Sequence, residues 1–137
     1  MKFINLFLLF FLLSCGGAAD FSEKLPANYK YIHEGSYCLN AITDQNDRII
    51  YPWILDIKYD DNFIVFCQYY SKQCQEVANE YENSRDSSLK KDKKLYYILD
   101  TSNKKEYKDM NYKEYIKIFN LLKLSKELYI SDESVTK

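Results

Sequence analysis

The feature that most constrains the fold is an alternation of apolar and polar residues near the middle of the chain. Its apolar positions recur at every second residue: Trp53, Leu55, Ile57 and Tyr59. This period places them on one face of a β-strand. The Asp60-Asp61-Asn62 triplet suits a tight turn, and residues 63–67 are apolar throughout. The pattern therefore predicts an antiparallel hairpin whose second strand is buried on both faces, in the middle of a sheet.

Other segments extend this hairpin into a meander. Strand character is present at residues 29–33, 37–42, 95–99 and 105–107. Glu34-Gly35-Ser36 predicts a turn after the first of these. Together these segments favour a sheet in which strands that follow one another along the chain are also neighbours.

Two segments lack a clear strand pattern. Residues 20–28 are polar and contain Pro26, so ordered structure is expected to begin near Tyr29. Residues 71–94 are interpreted as an insertion between strands, with helical character in the first half and a polar loop in the second.

A helix is predicted near the C-terminus. Asn111 offers an N-cap oxygen, and Glu114 three residues later completes a capping-box pattern. Apolar residues follow at helical spacing: Tyr112, Tyr115, Ile116, Phe119 and Leu122. We expect this stripe to pack on the sheet face that carries Trp53. The predicted fold class is α+β: an antiparallel β-meander sheet packed against a C-terminal amphipathic helix, in one monomeric domain over residues 29–137.

Composition excludes two classes of protein. The chain has 137 residues, of which 47% are hydrophobic and 17% aromatic, too many for a disordered chain. Its formal net charge of -1 supplies no overall field that would attract nucleic acid. The length fits one small domain.

The N-terminal residues have the pattern of a signal peptide. Lys2 supplies a positive charge, and residues 3–13 are apolar apart from Asn5. As a helix, this segment reaches about 16 Å, against a hydrocarbon core of about 30 Å, so it is too short for a permanent membrane span. The residues that end it resemble the lipobox of bacterial lipoproteins at every position: Leu12, Leu13, Ser14 and Cys15.

The lipobox resemblance implies a lipid anchor. Members of that class are cleaved before the cysteine and carry a diacylglycerol group on its thiol, so residues 1–14 would be the signal peptide and residues 15–28 the lipid attachment and linker. Two acyl chains are enough for stable attachment to a membrane. The resemblance therefore implies a bacterial cell-envelope location. Gly16, in place of Asp, favours the outer membrane if the cell has two membranes.

The C-terminal part of the mature chain resembles small uncharacterised bacterial lipoprotein domains. These end with a strand, a tight turn, a short strand and an amphipathic helix. The matching residues are Tyr96-Tyr97-Ile98-Leu99-Asp100, Lys104-Lys105-Glu106-Tyr107, Tyr112-Lys113-Glu114-Tyr115 and residues 121–128. The resemblance implies no known activity.

Three cysteines remain if Cys15 carries lipid. Cys67 and Cys74 are closest in sequence, and a disulfide between them would contribute about 2 to 3 kcal/mol in the chain-entropy model. The alternative is that all three, including Cys38, are small buried hydrophobic residues. A Cys₃His zinc site with His33 is disfavoured because Cys67 and Cys74 are too far apart in sequence for the usual ligand spacing. We expect no metal and no cofactor.

The sequence contains no complete catalytic constellation. His33 is the only histidine, and no glycine-rich nucleophile turn accompanies it. Asp56, Asp60 and Asp61 are poorly placed for paired carboxylates or for calcium. Gly35 is the only glycine beyond the linker, so a phosphate-binding loop is excluded. We expect a protein that is not an enzyme.

Residues 90–108 are rich in lysine, with seven lysines against three acidic residues. This cluster suits either anionic headgroups or an acidic partner. The alternative is a solvated loop and hairpin that serve solubility.

The chain has 14 tyrosines. A row of exposed tyrosines on a sheet would bind a glycan or a protein, because a rigid phenol gives contact area at little entropic cost. The alternative is that tyrosine is simply a good strand residue. The candidate contact residues are Tyr31, Trp53, Tyr69 and Tyr97.

These observations lead to an expected function. We expect a membrane-anchored lipoprotein that acts as a non-catalytic accessory protein of the envelope and recognises another protein through its tyrosine-bearing sheet. The alternatives are a small envelope hydrolase and a glycan-binding module. A protein binder should expose apolar residues, whereas a glycan binder should present coplanar aromatic rings.

Overall fold

The computed structural model describes residues 20–71, Cys74 and residues 93–133. The predicted signal peptide, the lipobox with Cys15 and most of residues 71–94 lie outside the described residues. In the described part of the chain, no helix has both the length and the apolar character needed to cross a bilayer.

The first of two antiparallel sheets is built from the N-terminal half of the domain. Its strands are β1 (Asp20–Lys24), β2 (Lys30–Glu34), β3 (Ala41–Thr43) and β4 (Ile49–Pro52), and they are neighbours in that order. The expectation that order begins near Tyr29 is wrong, because all five residues of β1 pair with β2. Strand β1 ends at Lys24, and Pro26 starts a short 3-10 turn over Pro26–Asn28. The proline therefore lies between β1 and β2 and does not prevent β1 from forming.

The second sheet holds the predicted hairpin. Its strands are β5 (Ile54–Tyr59), β6 (Phe63–Tyr70), β7 (Lys93–Asp100) and β8 (Lys105–Met110), again in chain order. The α+β class is confirmed, but the single meander is wrong. The chain leaves the first sheet at Trp53, where a left-handed backbone conformation (φ 56°) breaks the strand direction between β4 and β5.

The two sheets face each other across an apolar core. Its buried residues come from both sheets and from the turn after β1: Leu25, Tyr31, Ile42, Tyr51, Ile54, Ile64, Phe66, Leu95, Tyr97 and Leu99. Tyr51 and Phe66, one from each sheet, approach with ring centroids 4.9 Å apart. The first sheet therefore covers one whole face of β6 and β7.

The helix covers the other face of the second sheet. Helix α1 (Tyr112–Leu121) begins with the predicted capping box, in which Asn111 Oδ1 accepts from the Glu114 backbone N–H. A second core lies between them: Val65, Cys67, Tyr96, Ile98, Met110, Tyr115, Phe119, Leu128 and Ile130. The chain after the helix docks there, since the Ile130 N–H donates to Tyr115 Oη over 2.9 Å. The molecule is thus a three-layer stack of sheet, sheet and helix.

The predicted packing of the helix on the Trp53-bearing face is wrong. Trp53 precedes β5, and a β-bulge between Ile54 and Asp56 shifts the alternation of side chains. As a result Ile54 and Ile57 pack toward the first sheet, whereas Leu55 packs toward the helix.

The disulfide joins Cys38 to Cys74, with their Cα atoms 4.9 Å apart. The predicted Cys67–Cys74 pair is therefore wrong. Cys67 is a free, buried thiol on β6 that faces the helix layer. Cys38 comes close to Cys74 because residues 35–40 fold over the end of β6, a contact between segments far apart in sequence. The pair also removes two of the four ligands of the disfavoured zinc site.

We expect the Cys38–Cys74 disulfide to be a major contributor to stability. The bridge spans 36 residues, and closing such a loop is worth about 4 kcal/mol in the chain-entropy model. Cys38→Ser should lower the free energy of unfolding by about this amount in urea titrations of the oxidised protein. Dithiothreitol should destabilise the wild-type chain equally and leave the variant unchanged. Peptide mapping that finds Cys67 in a disulfide would contradict the pairing.

Candidate functional site

The four predicted contact residues do not form one surface. Tyr31 and Tyr97 are only 7% and 4% exposed and belong to the core between the sheets, so neither is available to a ligand. Trp53 and Tyr69 are half-buried and reach the surface at the same end of the domain. Tyr31 and Tyr97 therefore do not form part of an exposed tyrosine row, because the first sheet covers the face on which such a row would stand.

Both core tyrosines are held by packing, and Tyr97 is also held by a hydrogen bond. The Tyr97 ring stacks on Phe66 with centroids 4.8 Å apart, and its hydroxyl donates to Asp109 Oδ1 over 2.8 Å. Burial, followed by the hydrogen bond to Asp109, raises the pKa of Tyr97. Burial also raises the pKa of Tyr31 to about 12, with a further contribution from the nearby Asp56 and Glu23 carboxylates. Both rings act as structural elements of the core.

We expect the domain to lose stability as the pH rises from about 10 toward 12. Burial raises the pKa of Tyr31 and of Tyr115 to about 12, from an ordinary value of 10.0. In this range the unfolded chain releases the phenolic proton while the folded chain keeps it, so deprotonation favours unfolding. Below pH 10 both states are protonated and these groups leave stability constant. Urea titrations at pH 8, 10 and 11 would measure the decline.

Tyr31→Phe is the variant that tests this assignment. It should make the decline shallower, because one of the groups that titrates in the unfolded chain is gone. An unchanged pH dependence would show that Tyr31 is not buried as described.

Aromatic side chains gather at one end of the domain, which we call the aromatic end: Phe21, Tyr37, Trp53 and Tyr69. The strand register brings them there, because β2, β4 and β6 finish at this end while β1, β3, β5 and β7 begin there. Trp53 packs on Tyr70, with centroids 4.7 Å apart, and Tyr37 packs near Tyr69 at 6.1 Å. Phe21 is 53% exposed.

The backbone around Trp53 is held on both sides. Gln68 donates its side-chain amide to Pro52 O over 2.6 Å, and the Tyr69 N–H donates to Trp53 O over 3.2 Å. Asn40 donates to Ile54 O and accepts from the Ile54 N–H. These bonds offset the cost of a left-handed conformation, about 1–2 kcal/mol for a residue with a side chain. Trp53 is therefore displayed in a fixed position.

The disulfide fixes the loop that carries Tyr37. Cys38 is bonded to Cys74, and Tyr37 Oη lies 2.8 Å from Ser71 Oγ. Ser71 Oγ also accepts from the Cys74 backbone N–H. The aromatic end is thus tied across both sheets by covalent and hydrogen bonds.

A second surface lies on strand β4, which we call the isoleucine edge: Ile49 and Ile50. Ile49 is 63% exposed and Ile50 is 41% exposed. The register shifts between Ile42 and Thr43, so β4 carries an extra residue there and the two neighbouring side chains both reach solvent. Among the described strands, β4 is an edge of the first sheet. The sequence pattern alone does not indicate this surface, because its local signal is only the isoleucine pair before Tyr51-Pro52.

The loop before the isoleucine edge is rigid. Asp44 Oδ1 accepts from the backbone N–H groups of Asn46 and Arg48, and Asp44 Oδ2 pairs with the Arg48 guanidinium at 2.6 Å. The hydrogen bond from Arg48 holds the pKa of Asp44 below its usual range. Lys30 Nζ contacts Asp47 Oδ1 at 2.6 Å. Ile49 therefore follows a loop whose conformation is set by its own side chains.

The side chains considered for catalysis, among them His33, Cys67 and Asp60, make packing or hydrogen-bond contacts within the fold. The His33 ring packs against Phe21, with centroids 4.9 Å apart. Burial, with a smaller contribution from Asp56, raises the pKa of the Cys67 thiol to about 12, which suppresses the reactive thiolate. Asp60 accepts from the backbone N–H groups of Asn62 and Phe63 and so shapes the turn. Within residues 20–71, Cys74 and residues 93–133, no group of three potential metal ligands is assembled.

The lysines of the predicted cluster do not lie together within residues 93–108, the part of it that the structure describes. Lys94 and Lys104 lie near opposite ends of the β7–β8 hairpin, because β7 runs the length of the sheet between them. Lys94 Nζ donates to Asp132 O over 2.7 Å, and Lys108 pairs with Glu106. These lysines therefore do not form one continuous basic face.

Fold and surfaces together define a small three-layer α+β domain that exposes apolar side chains at the aromatic end and along the isoleucine edge. Residues 26–134 match the family model described as "Protein of unknown function (DUF3997)", and the chain belongs to this family. Neither the curated proteins nor the solved structures include a match to the chain.

Proposed function

We propose that this chain is a lipid-anchored, non-catalytic protein of the bacterial cell envelope that recognises another protein through the isoleucine edge. One observation carries the recognition: two adjacent isoleucines are exposed on an edge strand, directly after a loop held by its own hydrogen bonds. Exposed aliphatic side chains on a rigid support bind an apolar surface without a large ordering cost.

The geometry of β4 favours a different protein over a second copy of this chain. Pro52 lacks a backbone N–H, and the bulge interrupts the regular ladder of the edge. Both features hinder the continuous strand pairing that would join two β4 edges. Contact through the side chains of Ile49 and Ile50 remains open to a partner with an apolar patch.

The two alternative functions have less support. A glycan platform needs coplanar rings, but the Trp53 and Tyr70 rings are tilted by 59° and the Tyr37 and Tyr69 rings by 41°. A hydrolase needs an available base or nucleophile, whereas the His33 ring packs against Phe21 and Cys67 is buried with a raised pKa.

The lipid anchor is tested by intact mass. The protein purified from its bacterial host should lack residues 1–14 and carry a diacylglyceryl group, or a further acyl chain, at Cys15. Cys15→Ser should retain the leader, because the cleavage that follows lipid transfer needs the thioether. A free Cys15 thiol, or a wild-type chain with its leader intact, would contradict the anchor.

The recognition surface is tested by photo-cross-linking in the native host. A benzoylphenylalanine at position 49 should give an adduct with another protein. Burying one isoleucine contributes about 2 kcal/mol, so combining Ile50→Ser with Ile49→Ser should weaken binding of the captured protein at least a hundredfold.

Leu121→Ser is the matched control for this experiment. Leu121 is 69% exposed on helix α1, away from β4, so the same kind of change should leave affinity within twofold. All these positions are exposed, so thermal unfolding should change little. Equal affinity of the isoleucine variant and the control, or an adduct only with a second copy of the chain, would contradict the proposal.

A further inference from the structure

We propose that the aromatic end contacts the interfacial region of the membrane that holds the Cys15 lipid. This inference rests on the lipid anchor of the proposed function and is independent of the isoleucine edge. It assigns a role to Phe21, Tyr37, Trp53 and Tyr69 that protein recognition leaves unexplained.

The length of the linker supports this placement. Strand β1 begins at Asp20, five residues after Cys15, and those residues reach at most about 18 Å even when fully extended. Asp20 pairs with Glu34 at the aromatic end. Strand β6 has eight residues and is about 26 Å long, which exceeds that reach. The anchor therefore keeps the aromatic end close to the lipid, whereas an upright domain carries its other end away.

The side chains at this end suit a membrane interface. Tryptophan and tyrosine are favoured at the level of the headgroups because each combines an apolar ring with a polar tip. Trp53 and Tyr69 are half-buried, and their rings pack on Tyr70 and Tyr37, so little side-chain entropy is lost on contact. Phe21 is the second residue of β1 and exposes 53% of its surface, which is available to the acyl boundary.

The charges at this end favour contact through rings over contact through basic residues. Lys93 is exposed, but so is Glu34 on the neighbouring sheet. Lys94 is engaged by Asp132, and only 11% of its side chain is exposed. Among the residues that the structure describes, this end therefore has no excess of free lysines, and such a surface gains little from anionic lipids. The contact should therefore form on zwitterionic membranes and persist in high salt.

This contact would orient the domain. β4 runs from Ile49 toward Pro52, and Pro52 lies beside the aromatic end. With the aromatic end on the membrane, the strands stand upright, and Ile49 at the start of β4 lies about 10 Å farther from the bilayer than Pro52. Ile49 and Ile50 then project sideways from the edge of the sheet, where a partner protein would approach them.

Trp53 is the only tryptophan, so its fluorescence reports this contact directly. The full mature lipidated chain would be reconstituted in phosphatidylcholine vesicles with or without bromine atoms on the acyl chains, after intact mass has confirmed the lipid. We expect brominated vesicles to quench Trp53 emission at least twofold and 0.5 M NaCl to leave the quenching unchanged. Phe21→Ser should reduce the quenching, whereas Leu121→Ser should not.

The outcomes separate this inference from the proposed function. Equal Trp53 emission in both kinds of vesicle, with the acyl chains present, overturns membrane contact and leaves the anchor intact. A chain without acyl chains overturns both. A benzoylphenylalanine at position 37 should give lipid adducts in native membranes, and protein adducts in their place would also overturn the inference. Cross-linking at Ile49 tests recognition alone.

Discussion

The structure depends on the burial of the β6–β7 pair on both faces. Phe66 and Tyr97 stack in parallel on one face, and Tyr51 from the first sheet closes over them. On the other face Tyr96 stacks on Tyr115 of the helix, with centroids 4.8 Å apart. Aromatic rings supply most of this contact because each buries a large apolar area in a rigid shape. The sheet and the helix that cover the pair are both held by these rings.

The two-sided core explains where large side chains remain exposed. Tyrosines in the middle of strands are buried by packing, so exposed apolar side chains remain at the ends of the domain and on its edges. The aromatic end is closed by the Cys38–Cys74 disulfide and by hydrogen bonds around Trp53. The isoleucine edge is supported by the self-bonded loop that starts at Asp44. These bonds hold both surfaces in one arrangement, and a pre-ordered surface lowers the entropic cost of binding.

Part of the candidate site was predictable from the sequence. The strand pattern predicts Trp53 and Tyr69 as surface residues, and both reach the surface at one end. The same pattern predicts Tyr31 and Tyr97, which are core residues, because strand alternation shows on which face a side chain lies but not what covers that face. Ile49 and Ile50 are not predicted as surface residues, because a pair of isoleucines is ordinary in a strand. Only the structure shows that β4 is a sheet edge and that its bulge exposes both side chains.

The sequence by itself determined the local elements of this domain: the capping box at Asn111, the apolar strand after Asp60-Asp61-Asn62, and the α+β class. These depend on interactions between residues a few positions apart, which the order of residues encodes directly. Only the tertiary structure decided the change of sheet at Trp53, the choice of Cys38 as the partner of Cys74, and which side chains are exposed. Those outcomes depend on segments distant in sequence that meet when the layers pack, and no local pattern records that meeting.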